Sequence, residues 1–132
     1  MNNKIRYNSL IPEFSVSNIL VSKKFYIDLG FEIVYERVED KFCFLSLYGN
    51  QIMIEEVNNN WNVGELEYPF GRGINISMAV NDIDKFYNNV KNMGIKLYKD
   101  IAVSKYRVDD GYVCDKQFLI QDPDGYLLRF TN

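Results

Sequence analysis

The sequence predicts an α+β protein built from tandem βαβββ units, forming two curved mixed sheets around a cup with the helices outside. Three observations lead there. Residues 16–34 are echoed by residues 80–97 at an offset of 64, pairing Val16 with Val80, Ile19 with Ile83, Gly30 with Gly94 and Ile33 with Leu97. An offset close to half of a 132-residue chain marks one supersecondary unit used twice. Apolar residues alternate with small or polar ones in the segments flanking each helix, as in Ile74, Ile76, Met78 and Val80 against Asn75, Ser77 and Ala79. Glycine, proline and acidic clusters punctuate these segments where turns are needed.

Taken in order, residues 10–16 read as a strand. Ser17 or Asn18 caps a helix running to about Leu29, and Gly30 supplies its left-handed stop. Ile19, Phe25, Tyr26 and Leu29 form its apolar stripe, interrupted by Lys23 and Lys24. Residues 31–37, 41–48 and 51–57 read as three strands, with turns at Glu39–Lys41 and Tyr48–Asn50. A linker over 58–72 then joins this module, about 8–57, to a second, about 73–131, within a single domain. The second module opens with a strand at 74–80. Asn81 or Asp82 caps a helix with Ile83, Phe86, Tyr87, Val90 and Met93 on one face, and Gly94 stops it. Strands follow near 95–99, 103–108, 112–121 and 126–131. Asp109-Asp110-Gly111 and Asp122-Pro123-Asp124-Gly125 make the last two turns.

Composition narrows the function. At 132 residues the chain is the size of one domain with a substantial core. A formal charge of −3 argues against a grip on nucleic-acid phosphates and is compatible with a cationic ligand. The opening Met1–Ser9 lacks a long apolar core and no segment approaches a membrane span, so a cytoplasmic protein without a membrane partner is expected. The two cysteines, Cys43 and Cys114, lie in strand-like surroundings without CxxC spacing and read as free core thiols. The chain has no histidine, which excludes a Ser-His-Asp or Cys-His centre and any His-ligated metal.

Alternation assigns faces. Phe14 and Val16 in the first strand, and Leu128 and Phe130 in the last, belong under the helices. Ile11, Glu13 and Ser15, and likewise Leu127 and Arg129, face the other way. Glu13, Glu55, Asn75 and Arg129 are thereby expected to converge in the cup. Phe42 and Phe44 either line it or pack as plain interior. Trp61, Tyr68 and Phe70 in the linker either cover a sheet edge or seam, or offer a stacking platform for a flat ligand.

Val16-Ser17-Asn18-Ile19 through Phe25-Tyr26 to Leu29-Gly30-Phe31, Gly71-Arg72-Gly73 through Val80-Asn81-Asp82-Ile83, and Gln121-Asp122-Pro123-Asp124-Gly125-Tyr126 together resemble the vicinal oxygen chelate superfamily. That group contains glyoxalase I, extradiol dioxygenases, fosfomycin-resistance enzymes and bleomycin-resistance proteins. The resemblance implies a divalent metal held by one residue on each of four strands, at positions that fall here on Ile11, Glu55, Asn75 and Arg129. Ile11 has no donor and Arg129 is a permanent cation, so the metal site is read as lost. A slip of two residues would substitute Glu13 for Ile11 but leave Arg129. The branch known to lack the metal sequesters a drug, and its chains pair as homodimers with ligand at their interface.

The resemblance therefore implies a small-molecule-binding protein without metal or other cofactor and without catalytic residues. Its ligand would be apolar or aromatic and possibly cationic, contacted by Glu13, Phe42, Phe44, Glu55, Trp61, Phe70, Asn75 and Arg129. The alternatives are a metal-dependent glyoxalase- or dioxygenase-type enzyme recruiting metal through Glu13 and Glu55, and a module that binds another protein.

Overall fold

The computed structural model describes residues 4–132. Met1–Asn3, part of the opening stretch read as lacking a leader, lie outside the described residues. The chain divides into two compact units, the first ending at Glu67 and the second beginning at Tyr68.

In the first unit β1 (Glu13–Val16) leads through α1 (Ile19–Leu29) to β2 (Glu32–Arg37), β3 (Phe42–Leu47) and β4 (Asn50–Glu56). Asn18 is the cap, its side chain accepting from the backbone N–H groups of Leu20 and Val21. Gly30, with φ of 113°, turns the chain out of the helix by a conformation that a side chain would resist. The buried stripe of α1 is Ile19, Ser22, Tyr26 and Leu29, so Ser22 takes a place where an apolar residue is the norm. Tyr48 and Gly49, both with positive φ, make the tight β3–β4 hairpin.

The second unit repeats the order with β5 (Asn75–Ala79), α2 (Ile83–Asn92), β6 (Leu97–Val108), β7 (Gly111–Gln121) and β8 (Leu127–Thr131). Asp82 caps α2 by accepting from the Lys85 N–H. The segments expected as separate strands near 95–99 and 103–108 are one strand of 12 residues, β6. Its register against β7 shifts twice between Leu97 and Ala102, and this bulged stretch breaks the alternation that would have announced continuity. The Asp122–Gly125 turn forms as expected. The Asp122 carboxylate accepts from the N–H groups of Asp124 and Tyr126, while the Phe70 N–H donates to the Asp124 carbonyl. At Gly125, φ is +94° and a Cβ would lie 2.5 Å from that of Pro69, so both conformation and space demand glycine.

Each unit holds a four-stranded sheet with the same order, β1-β4-β3-β2 in one and β5-β8-β7-β6 in the other. The outer strands β1 and β5 run parallel to β4 and β8, and the remaining ladders are antiparallel. These mixed sheets with helices outside match the expected class, but the expected cup does not form. Each sheet is open and neither closes nor curls strongly, because its two edge strands find no partner to complete a ring.

One face of each sheet is apolar and covered. Phe14, Val16, Cys43, Leu45, Ile52 and Ile54 are buried in the first unit together with Tyr26 and Leu29 of α1. In the second, Phe86 of α2 lies 4.7 Å from Phe130 and 6.1 Å from Phe118, ring centre to ring centre, with Met78, Ile120 and Leu128 also buried. Ile74, whose alternation with Ile76, Met78 and Val80 would place it under the helix with them, precedes the strand and is 63% exposed. The reading of both cysteines as free core thiols is half corrected. Cys43 is buried, but Cys114 is exposed, on the exposed first half of β7 in the β6–β7 hairpin. Burial, with the nearby Glu36 carboxylate, pushes the Cys43 thiol up to about 11.

Two outcomes follow. A brief alkylation of the folded protein near neutral pH, read by mass spectrometry, should label Cys114 and spare Cys43. Phe130→Ala should cost about 3–5 kcal/mol in chemical denaturation, because the emptied volume lies between two aromatic rings.

Candidate functional site

The face of the first sheet opposite α1 is set by register. β1 aligns Glu13 with Met53 and Ser15 with Glu55, while β3 aligns Phe42 with Glu55 and Phe44 with Met53. Pairing with β2 brings Tyr35 to Phe44 and Arg37 to Phe42. Residues level across adjacent strands share a face, so carboxylates and aromatic rings are gathered on one surface.

The rings form a wall. Tyr35 stacks on Phe44 at 5.3 Å between centroids, inclined by 16°, and Tyr7 meets Phe44 edge-on at 5.4 Å. The Arg37 guanidinium lies 4.0 Å from the Phe42 ring centre, held also by the Asp40 carboxylate. Beside the wall, one oxygen of the buried Glu55 accepts from the Asn58 amide at 2.6 Å and from the Trp61 indole N–H at 3.1 Å. Those bonds fix the loop after β4 and leave the Trp61 side chain 65% exposed. Glu13 is half-buried. Its loss of solvent, followed by repulsion from Glu55, holds its carboxyl above the usual range, partly relieved by Arg37.

Five of the expected ligand contacts thus come together in the first unit: Glu13, Phe42, Phe44, Glu55 and Trp61. Phe42 and Phe44 are almost wholly buried, so they back the wall while Tyr35 and Trp61 offer accessible ring surface. Tyr7, Tyr35, Arg37 and Asn58 also belong to this surface and were not anticipated. The bulge between Ile33 and Tyr35 shifts the β2 register, so simple alternation could not show which way Tyr35 and Arg37 face.

The second unit carries its own hollow, of about 400 Å³, on the sheet face opposite α2. Asn75 and Arg129 border it together with Lys99, Tyr106, Leu119 and Leu127. Phe70 is not among them; it packs edge-on against Tyr126 at 5.9 Å. Tyr68 borders a separate hollow of about 480 Å³ with Ile95, Leu97 and Gln121.

The residues that the resemblance puts at metal positions do not fit a metal. Ile11 offers no lone pair, Arg129 brings a guanidinium, and Glu55 has one oxygen committed to Asn58 and Trp61. Among the described residues no group of three or more His, Cys, Asp or Glu is placed to hold a metal ion. No helix among them is long and apolar enough to cross a membrane.

Comparison with known proteins agrees with this architecture. No curated protein matches the chain significantly. Among solved structures, a glyoxalase/bleomycin resistance protein/dioxygenase superfamily member from Vibrio splendidus 12B01 is 35% identical, covering 92% of this chain and 95% of its own, with a TM-score of 0.42. TioX from Micromonospora sp. ML1 shares the fold with a TM-score of 0.74 at 14% identity, over 96% of this chain and 98% of its own. The bleomycin resistance determinant encoded on the transposon Tn5 shares it with a TM-score of 0.66 at 21% identity, over 96% and 98%. With residues 12–130 matching the profile of the Glyoxalase/Bleomycin resistance protein/Dioxygenase superfamily, the chain belongs to that family.

Proposed function

We propose that the protein binds and sequesters a flat, apolar or aromatic, cationic small molecule, without a metal, as a homodimer in the cytoplasm. One observation carries the reading: an accessible indole and a stacked aromatic wall stand beside two carboxylates, Glu13 and Glu55, on one sheet face. Aromatic faces attract a delocalised cation through their quadrupole, and the carboxylates add charge complementarity. Arg37, packed over Phe42, is occupied by Asp40 and so offsets this only in part. The shared fold of a bleomycin resistance determinant supports a drug-binding reading. A metal-dependent enzyme would have only Glu13 and Glu55 as carboxylate donors here, fewer than a divalent ion needs.

Trp61 is the only tryptophan, so its emission reports on this face alone. Titration with bleomycin and with the flat cation ethidium should change that emission saturably, and bound ligand should raise the thermal midpoint by mass action. Glu55→Gln should weaken binding by on the order of tenfold, as loss of a partly desolvated charge partner does. No change in emission or midpoint with either compound would overturn the proposal.

The raised Glu13 carboxyl sets a pH dependence. The folded state holds this proton more tightly than the unfolded chain, so Glu13 costs stability at neutral pH, and the cost is relieved as pH falls through its raised value. Ligand binding should change in the opposite sense, weakening over the same interval as one carboxylate is lost. Glu13→Gln should raise the thermal midpoint at neutral pH and flatten both trends, measured by melts and titrations from about pH 7 to about pH 5.

A further inference from the structure

We propose that the hollow in the second unit is a binding site for a small organic acid, whose carboxylate is received by Arg129. Arg129 sits on β8, an inner strand, level with Ser77 on one side and Leu119 on the other. Neither neighbour carries a charge. Among the described residues Arg129 forms no ion pair, and its Nε is buried without a hydrogen-bond partner. A guanidinium without a charge partner at the centre of a sheet is costly, and an anion in the hollow it borders offsets that cost.

The surroundings say what the acceptor is. Lys99, level with Leu119 across β7, borders the same hollow and has no carboxylate partner among the described residues. Asp100 is the one carboxylate on the border, and it already accepts from the Tyr87 hydroxyl and the Ile101 N–H. Two cations therefore stand against one engaged anion. Tyr106 accepts from the Gln117 amide at 2.7 Å, which leaves its own hydroxyl hydrogen to donate. A planar guanidinium fork matches a carboxylate with two parallel N–H bonds, better than it matches a spherical anion. Leu119, Leu127 and the Tyr98 ring supply apolar surface around this charge, so the anion should carry an apolar body.

The test is a titration of the full chain with benzoate, its neutral isostere benzamide, and inorganic phosphate, followed by amide and Arg129 Nε–H chemical shifts. Benzoate should bind saturably, moving the Arg129 Nε–H and the amides of Ser77, Leu119 and Arg129. Benzamide should bind more weakly by on the order of tenfold, because it lacks the charge. Phosphate should be weaker than benzoate because it lacks the body. Lys99→Gln, an exposed change that leaves the core untouched, should weaken benzoate a few-fold, and Arg129→Gln should abolish its binding. If Arg129→Gln fails to fold, Lys99→Gln and the three-compound comparison decide the matter. An unmoved Arg129 Nε–H, equal binding of benzoate and benzamide, or phosphate binding as tightly as benzoate would overturn the proposal. It does not rest on the aromatic face of the first unit. The probe there is a cation read at Trp61, so either reading can fail alone.

Discussion

The parallel ladders β1–β4 and β5–β8 are the constraint on which the rest of this structure depends. Parallel neighbours cannot be joined by a tight turn, so the chain must travel the length of the sheet before it returns. In each unit that journey carries one helix, which covers one sheet face, and an antiparallel pair, which builds the remaining width. The same ladders place Glu55 and Arg129 on inner strands, pointing away from the helix. Those two side chains then set the opposite electrostatic characters of the two faces opposite the helices.

Stability and function are divided between the faces. The covered sides are aromatic and aliphatic with almost no polar interruption, and burial of such surface at roughly 25 cal/mol per Å² is the dominant favourable term in folding. The sides opposite the helices carry features that folding alone does not reward: a carboxyl held above its usual range at Glu13, and a buried guanidinium nitrogen without a partner at Arg129. The apolar burial under the helices, with the buried rings of Phe42 and Phe44 added on the first sheet's other face, offsets such costs.

Much of this was legible along the chain because it depends on local chemistry. The helix caps Asn18 and Asp82 stand 64 residues apart in the sequence, as do Gly30 and Gly94, both with positive φ just after their helices. Alternation correctly put Phe14, Val16, Leu128 and Phe130 under the helices. It failed where the backbone departs from a regular strand. The bulge in β2 hid Tyr35 and Arg37, and the irregular start of β6 made one strand read as two. Of the aromatics between the modules, Trp61 is fixed at Glu55 while Phe70 packs on Tyr126; no periodicity separates such fates.

By itself the sequence determined the duplicated unit, the element order of its first copy, most of the helix-covered faces, and the lack of a histidine. These follow from nearest-neighbour chemistry, from period, and from residue type. Only the tertiary structure decided that the sheets stay open instead of curling into a cup, that Cys114 is exposed, and that Glu55 is already bonded to Asn58 and Trp61. Those outcomes depend on which strands find partners and which side chains meet across ladders far apart in sequence, and a linear pattern does not carry that information.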